Sequence, residues 1–126
     1  MMKPGQTLVF LLVFMAMAIT VTTAAVMVII GNSQAASKLE LSLTAYDVAE
    51  SGAEEALLRL LRNPTYASAG SETLTIGEGL ATITVTGTNP KTILSRGVYN
   101  NFFRQVQVTA GYSGGILSVT SWQEVY

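Results

Sequence analysis

The sequence predicts an α+β fold in which one long N-terminal helix packs on a small antiparallel β-sheet. Residues 8–30 carry no charge, and a helical spacing of apolar residues continues after them to residue 62. Asn63-Pro64 then ends the helical pattern, because the residue before a proline is pushed out of the α region. Residues 72–126 alternate apolar and polar side chains, as short β-strands do. The length of 126 residues fits one small domain.

Composition excludes several classes of function. Seven Lys and Arg face eight Asp and Glu, for a net charge of −1, so the basic surface that binds nucleic acid is missing. The chain has no His and no Cys, which removes disulfides, thiolate nucleophiles, histidine-based triads and the usual zinc sites. We therefore expect no catalytic residues, no cofactor and no metal site, and we do not expect an enzyme.

The first half of the predicted helix is apolar on every side. The stretch from Leu8 to Ile30 would be about 35 Å long as a helix, enough to cross a hydrocarbon core of about 30 Å. Lys3 precedes it and Lys38 is the next charge, so the positive-inside rule predicts a cytoplasmic N-terminus and an external C-terminus. We assign residues 6–35 to a segment spanning the cytoplasmic membrane and residues 36–126 to an extracytoplasmic domain. A plain single-pass anchor, or a signal peptide cut after Ala35, are the alternatives.

The second half of the predicted helix, residues 36–62, is amphipathic. Apolar residues recur at steps of three and four from Leu39 to Leu60 and form one helix face. The face is expected to cover the sheet through Leu43, Tyr46, Ala53, Leu57 and Leu60. Gly31-Asn32-Ser33, between the two halves, suggests a kink or an unwound turn. Asp47, Glu50 and Glu54 read as a solvated helix face.

Four or five short antiparallel strands are expected in the C-terminal half, within residues 72–126. Turn residues separate them at Gly77-Glu78-Gly79, Asn89-Pro90, Asn100-Asn101 and Ser113-Gly114-Gly115. Gly97 lies inside a predicted strand and suggests a β-bulge. So small a sheet cannot bury enough apolar surface alone, which is why the amphipathic helix is expected to cover it.

The N-terminus resembles the short leader of type IV pilins and pseudopilins. Met1-Met2-Lys3-Pro4-Gly5 ends in Gly directly before Gln6 and the apolar run. The segment AESGAEEAL at residues 49–57 is similar to the AEAG-x-E-x-A-L stretch of PilX-type minor pilins. The resemblance implies a leader of residues 1–5, cleavage between Gly5 and Gln6 by a prepilin peptidase, and methylation of the Gln6 amino nitrogen. It also implies that the apolar helix packs against other pilin or pseudopilin subunits.

Phe10 departs from the family pattern. The fifth residue of a mature pilin is usually a glutamate that neutralises the N-terminal amine in the apolar filament core, and here that position is Phe10. The departure favours a minor subunit over the major one. The resemblance thus implies a structural minor pilin or pseudopilin, inserted in the cytoplasmic membrane and assembled into, or at the tip of, an extracellular or periplasmic filament. The alternative is a single-pass membrane-anchored extracytoplasmic binding or sensor domain.

Overall fold

The computed structural model describes residues 3–67 and 70–126, so Met1 and Met2 of the predicted leader lie outside the described residues. One helix, α1, precedes five strands, and the α+β prediction is confirmed. The elements are α1 (Pro4–Arg62), β1 (Ser71–Ile76), β2 (Gly79–Thr86), β3 (Lys91–Tyr99), β4 (Phe102–Ser113) and β5 (Ile116–Val125).

The chain divides into two compact units, residues 1–38 and residues 39–126. In the first unit every described residue is exposed and helical from Pro4 onward. Helix α1 is continuous through Gly31-Asn32-Ser33, so the expectation of an unwound turn there is wrong. A single glycine costs a helix only about 1 kcal/mol, which the surrounding helix formers outweigh.

The second unit contains a sheet in the strand order β1-β2-β3-β4-β5, with every neighbouring pair antiparallel. Four hairpins connect the strands where the turn residues predicted them, one through residues 87–90 and three through two-residue turns. The two-residue turns are Gly77-Glu78, Asn100-Asn101 and Gly114-Gly115. Asn100 has a φ of 53°, a left-handed conformation that asparagine tolerates better than most residues.

Gly97 does not form the predicted bulge. It lies in regular register between Ala81 of β2 and Arg104 of β4, and the register shift occurs instead between β4 and β5, at Thr109/Ala110. A Cβ atom at Gly97 would overlap the carbonyl oxygen of Ala45 and the amide nitrogen of Ala49 in α1. The glycine is there because the helix backbone comes directly onto the strand.

Small side chains dominate the face of α1 that covers the sheet. Its buried residues are Ala45, Val48, Ala49, Gly52, Ala53, Ala56 and Leu60. They meet buried residues of β1 to β4: Leu74, Ala81, Ile83, Val85, Ile93, Val106 and Val108. The buried helix face therefore permits a close approach of helix and sheet, with the larger apolar side chains supplied mainly by the strands.

Four of the five residues predicted to join helix and sheet belong to this core or its margin. Ala53 and Leu60 are fully buried, and Tyr46 and Leu57 are partly buried against the core. The prediction for Leu43 is wrong, since its side chain is 49% exposed and outside the core cluster. The buried face of α1 consists mainly of alanines and Gly52. Leu43 lies outside this face, on the exposed side of the helix.

Candidate functional site

The first candidate site is the exposed apolar surface of α1 in the first unit. The helix is long enough and apolar enough to cross a membrane, and none of its most apolar window is buried inside the protein. Large side chains along residues 8–30 are about half to two-thirds exposed, as in Leu8 at 60% and Ile29 at 66%. A surface of this kind is covered by lipid or by other apolar helices.

The polar side chains within this surface are satisfied by the helix itself. The hydroxyls of Thr20, Thr22 and Thr23 donate hydrogen bonds of 2.7–2.8 Å to carbonyl oxygens four residues earlier. The sequence places no charge between Lys3 and Lys38. An apolar environment would therefore leave no hydroxyl donor of these threonines unpaired, which would otherwise cost free energy.

The predicted cleavage site lies in the first turn of α1. The backbone N–H groups of Gln6 and Thr7 donate to the carbonyl oxygen of Lys3, at 2.9 and 3.3 Å. Gly5, Gln6 and Phe10 line one shallow surface hollow together with Lys3 and Val9. The structure therefore brings the predicted cleavage site, the predicted methylation site and the residue at the family's glutamate position to one end of the helix.

Neither packing nor backbone conformation accounts for Gly5. A Cβ atom there would have nothing within 4 Å, and no left-handed φ is recorded for this residue. Glycine inside a helix is about 1 kcal/mol less favourable than alanine. The same holds for Gly31, which also has open space around it.

Within the second unit, Arg104 connects α1, β4 and β5 through an ion pair and a hydrogen bond. The guanidinium of Arg104 in β4 donates to the carboxylate of Glu124 in β5 and, at 2.7 Å, to the hydroxyl of Ser42 in α1. It also lies 5.5 Å from the centre of the Tyr46 ring, within range of a cation–π contact. The hydrogen bond from Arg104 lowers the pKa of Glu124, and that carboxylate in turn raises the pKa of Arg104.

The C-terminal end of α1 is held by a hydrogen bond from the sheet. The hydroxyl of Tyr112 in β4 donates to the carbonyl oxygen of Leu60 at 2.5 Å, and so satisfies one of the carbonyls near the end of the helix. The side chain of Asn89 pairs with Tyr112 in turn, because its amide donates to the Tyr112 carbonyl and its oxygen accepts from the Tyr112 N–H, both at 3.0 Å. Tyr112 therefore links the helix end to the β2–β3 loop.

A second charged cluster joins α1 to β1. Arg59 pairs with Glu55 at 3.0 Å and with Glu72 of β1 at 2.8 Å. Burial, reinforced by the nearby carboxylate of Glu72, raises the pKa of Tyr66 to about 12. A groove of about 490 Å³ runs beside this cluster, between Ser51, Glu55 and Arg59 on the helix and residues 73–76 on β1.

Sequence reasoning missed the residues that fasten the helix to the sheet. Arg104 and Glu124 are twenty positions apart, and Tyr112 lies far from Leu60 along the chain, so no local spacing connects them. Among residues 3–67 and 70–126, no group of three acidic side chains is placed to hold a metal ion. Of the described surfaces, the apolar part of α1 is long enough and apolar enough to cross a membrane.

Comparisons with protein-family models, with curated proteins and with solved structures find no match to this chain.

Proposed function

We propose that this chain is a structural minor pilin or pseudopilin, inserted in the cytoplasmic membrane and assembled into, or at the tip of, a type IV pilus-like filament. The observation that carries the proposal is that the two parts of α1 have different surroundings. Its first part is uncharged and fully exposed, whereas its last part supplies the helix face of an α+β core. A domain whose own core helix extends as an apolar membrane segment is the arrangement that the pilin resemblance implies.

The exposed apolar surface favours a partner for the first part of α1. Removing a Val, Leu, Ile, Phe or Met side chain from water contributes about 1.5–3 kcal/mol. Many such residues lie exposed between Leu8 and Ile30. Lipid before assembly, and the apolar helices of neighbouring subunits afterwards, provide that cover in the proposed function.

The leader supports the same proposal. No contact requires a glycine at position 5, so recognition by a prepilin peptidase would explain why this residue is a glycine. The Gly5–Gln6 bond lies in the first turn, where the N–H groups of Gln6 and Thr7 both donate to the carbonyl oxygen of Lys3. These two hydrogen bonds would have to open for hydrolysis.

Phe10 supports a minor role. The methylated amine of Gln6 would carry a positive charge, and a charge left unpaired in an apolar core costs several kcal/mol or more. Phe10 cannot neutralise it, and the hydroxyl of Thr7 carries no charge. We therefore place this subunit where such burial is rare, at a filament end or at isolated positions.

The mature N-terminus tests the proposal. Mass spectrometry of the full chain from membranes is expected to show a chain that starts at Gln6 with a methyl group on its amino nitrogen. Gly5→Val is expected to retain the leader. Gly31→Val is the matched control, because both glycines have open surroundings in the same unit, and it is expected to be processed normally.

Other termini would contradict the proposal. A start at Ala36 would indicate a secreted domain released by signal peptidase. An intact leader on the wild-type chain would indicate the single-pass membrane-anchored binding or sensor domain. If the leader of Gly5→Val were cleaved as completely as that of the wild type, the peptidase would not require Gly5.

A further inference from the structure

Strand β5 is the least buried strand of the sheet. Each of the strands β1 to β4 contributes at least one buried residue, whereas every position of β5 is exposed or half-buried. Leu117 and Trp122 of β5 are partly buried and pack against the core from its margin. The buried residues of the core cluster lie in α1, in strands β1 to β4 and at Tyr66. The core is therefore built almost entirely without β5.

The position of β5 permits it to leave the sheet without displacing another strand. In the described part of the chain β5 pairs with β4 alone, and a register shift that leaves Thr120 without a partner interrupts this ladder. The other edge strand, β1, is anchored by the buried side chain of Leu74. Segments with few buried apolar contacts and solvent-exposed backbone hydrogen bonds open locally, at a lower free energy than the whole domain.

One contact of β5 is stronger than the others. Glu124 accepts a hydrogen bond from the guanidinium of Arg104 in β4, and the side chains of Arg104 and Glu124 are only 23% and 19% exposed. The same guanidinium donates to the hydroxyl of Ser42 in α1. Opening of β5 separates the two charges and removes a charge-assisted hydrogen bond, which is about twice as strong as one between neutral groups. The ion pair therefore holds β5 against β4.

We propose that β5 is a strap that opens from β4 and closes again while α1 and strands β1 to β4 stay folded, and that the ion pair between Arg104 and Glu124 keeps it closed. The closed form is the major one at neutral pH. Opening frees the edge of β4 and the ring of Trp122. This inference goes beyond the proposed function, and it depends neither on leader cleavage nor on filament assembly.

The ion pair makes the strap sensitive to acid. Glu124 is faced by Arg104 from β4, by Tyr46 from α1 and by Tyr126 beyond the end of β5, and of these three groups only Arg104 is charged at neutral pH. The hydrogen bond from Arg104 lowers the pKa of Glu124 in the closed form. Opening returns the carboxyl to its ordinary pKa, so closure weakens as the pH falls from that ordinary value through the lowered one.

Amide hydrogen exchange of the full chain in detergent micelles, measured residue by residue by NMR, tests the proposal. The amides that donate across the β4–β5 ladder, from either strand, are expected to share one protection factor. That factor should be at least about tenfold below those of the amides in the β2–β3 and β3–β4 ladders, which exchange only when the core unfolds.

A core variant shows whether the two openings are separate. Ile83 is fully buried in β2, and Ile83→Val should lower the protection of the β2–β3 amides by about two- to tenfold. The protection of the β4–β5 amides should not change, because the open state of β5 keeps the core folded and loses the same contacts as the closed one.

Glu124→Gln tests the ion pair, because it removes the charge and keeps the shape of the side chain. The change weakens the closed form relative to both the open and the unfolded chain, so protection in the β4–β5 and β2–β3 ladders should fall by the same factor, about tenfold or more. Glu72→Gln is the matched control, since it removes a carboxylate that pairs Arg59 of α1 with the other edge strand. It should leave the β4–β5 protection unchanged. On lowering the pH, the wild type should lose more β4–β5 protection than Glu124→Gln.

Three results would overturn the proposal. Equal protection of the β4–β5 and β2–β3 ladders in the wild type would show that β5 opens only with the whole second unit. An equal loss of protection in both ladders of Ile83→Val would show the same. An unchanged β4–β5 protection in Glu124→Gln would show that the ion pair does not keep β5 closed.

Discussion

Replacing Gly97 by alanine tests how closely α1 lies on the sheet. The added methyl group would overlap backbone atoms of Ala45 and Ala49, and it would lie 2.8 Å from the Cα atom of Ala49. Non-bonded carbon atoms prefer about 3.5–4.0 Å, so the helix has to move away by about 1 Å. A gap of this size already loses about a quarter to a half of the dispersion energy of each affected contact.

The expected cost is large because the obstacle is backbone, which cannot adopt another rotamer. Overpacking typically costs about 1–3 kcal/mol, and this site should lie at the upper end of that range. Since about 1 kcal/mol shifts the melting temperature of a domain of 60–100 residues by about 4–8 °C, we expect a decrease of more than about 10 °C.

Thermal unfolding of the full chain in detergent micelles provides the measurement, with the single tryptophan, Trp122, as the fluorescent probe. Gly111→Ala is the matched control. It makes the same change in a strand, where the new Cβ would meet only the Asn89 side chain, at 3.3 Å. If Gly97→Ala melted as high as Gly111→Ala, the close contact of α1 with β3 would be refuted.

Three further predictions concern the core, the ion pair and the filament. Leu60→Ala is expected to cost about 2–5 kcal/mol because Leu60 is fully buried, whereas Leu61→Ala, at a 56% exposed side chain, should change the stability by about 0.5 kcal/mol or less in the same melting assay. The lowered pKa of Glu124 stabilises the fold above the ordinary carboxyl pKa, and this stabilisation is lost as the pH falls through the folded-state value. Arg104→Gln should therefore unfold with a weaker dependence on acid pH than the wild type, and an unchanged pH profile would contradict the role of the pair. Quantitative proteomics of sheared filaments is expected to find this subunit far below a glutamate-bearing pilin, and its deletion should reduce filament number more than filament diameter. If it proved the most abundant subunit, the argument from Phe10 would fail.

The sheet was the part most accessible to sequence reasoning. Alternation in β2 is strict, with Ala81, Ile83 and Val85 buried and threonines between them. Turn residues mark each hairpin, since Asn100 and Gly77 adopt the positive φ values that such turns need. These signals depend on neighbouring residues only, so strands and turns can be predicted from them without knowledge of the tertiary contacts.

The buried helix face was harder to predict, because the leucines were a misleading guide. Leu43 and Leu61 are large and apolar but about half exposed, whereas Ala45 and Gly52 are buried. Periodicity ranks residues by hydrophobicity, but a helix that approaches a sheet closely selects for small side chains. The sheet partner that imposes this requirement cannot be read from the helix sequence alone.

The ion pair between Arg104 and Glu124 illustrates the same limit. Alternation places both residues on the side of the sheet that faces α1, where charged side chains are uncommon. They are accommodated because β4 and β5 bring them together and Ser42 accepts a further hydrogen bond. At the N-terminal end of α1 the limit is different: the leader and Phe10 came from family resemblance, and cleavage and assembly are events that await the experiments described above.

The two glycines between α1 and the sheet should differ in how the sequence can diverge around them. A side chain at Gly52 would meet other side chains, the Cβ of Ala81 at 2.6 Å and the hydroxyl of Ser95 at 2.7 Å, and smaller residues at those positions can make room. A side chain at Gly97 would meet the helix backbone, which no neighbouring substitution can shrink. Selection for suppressors should thus recover changes at positions 81 and 95 together for Gly52→Ala, because both overlaps have to be relieved, and only reversion for Gly97→Ala. Position 52 is free to vary together with its neighbours over evolutionary time, while position 97 stays glycine for as long as the helix lies on this strand.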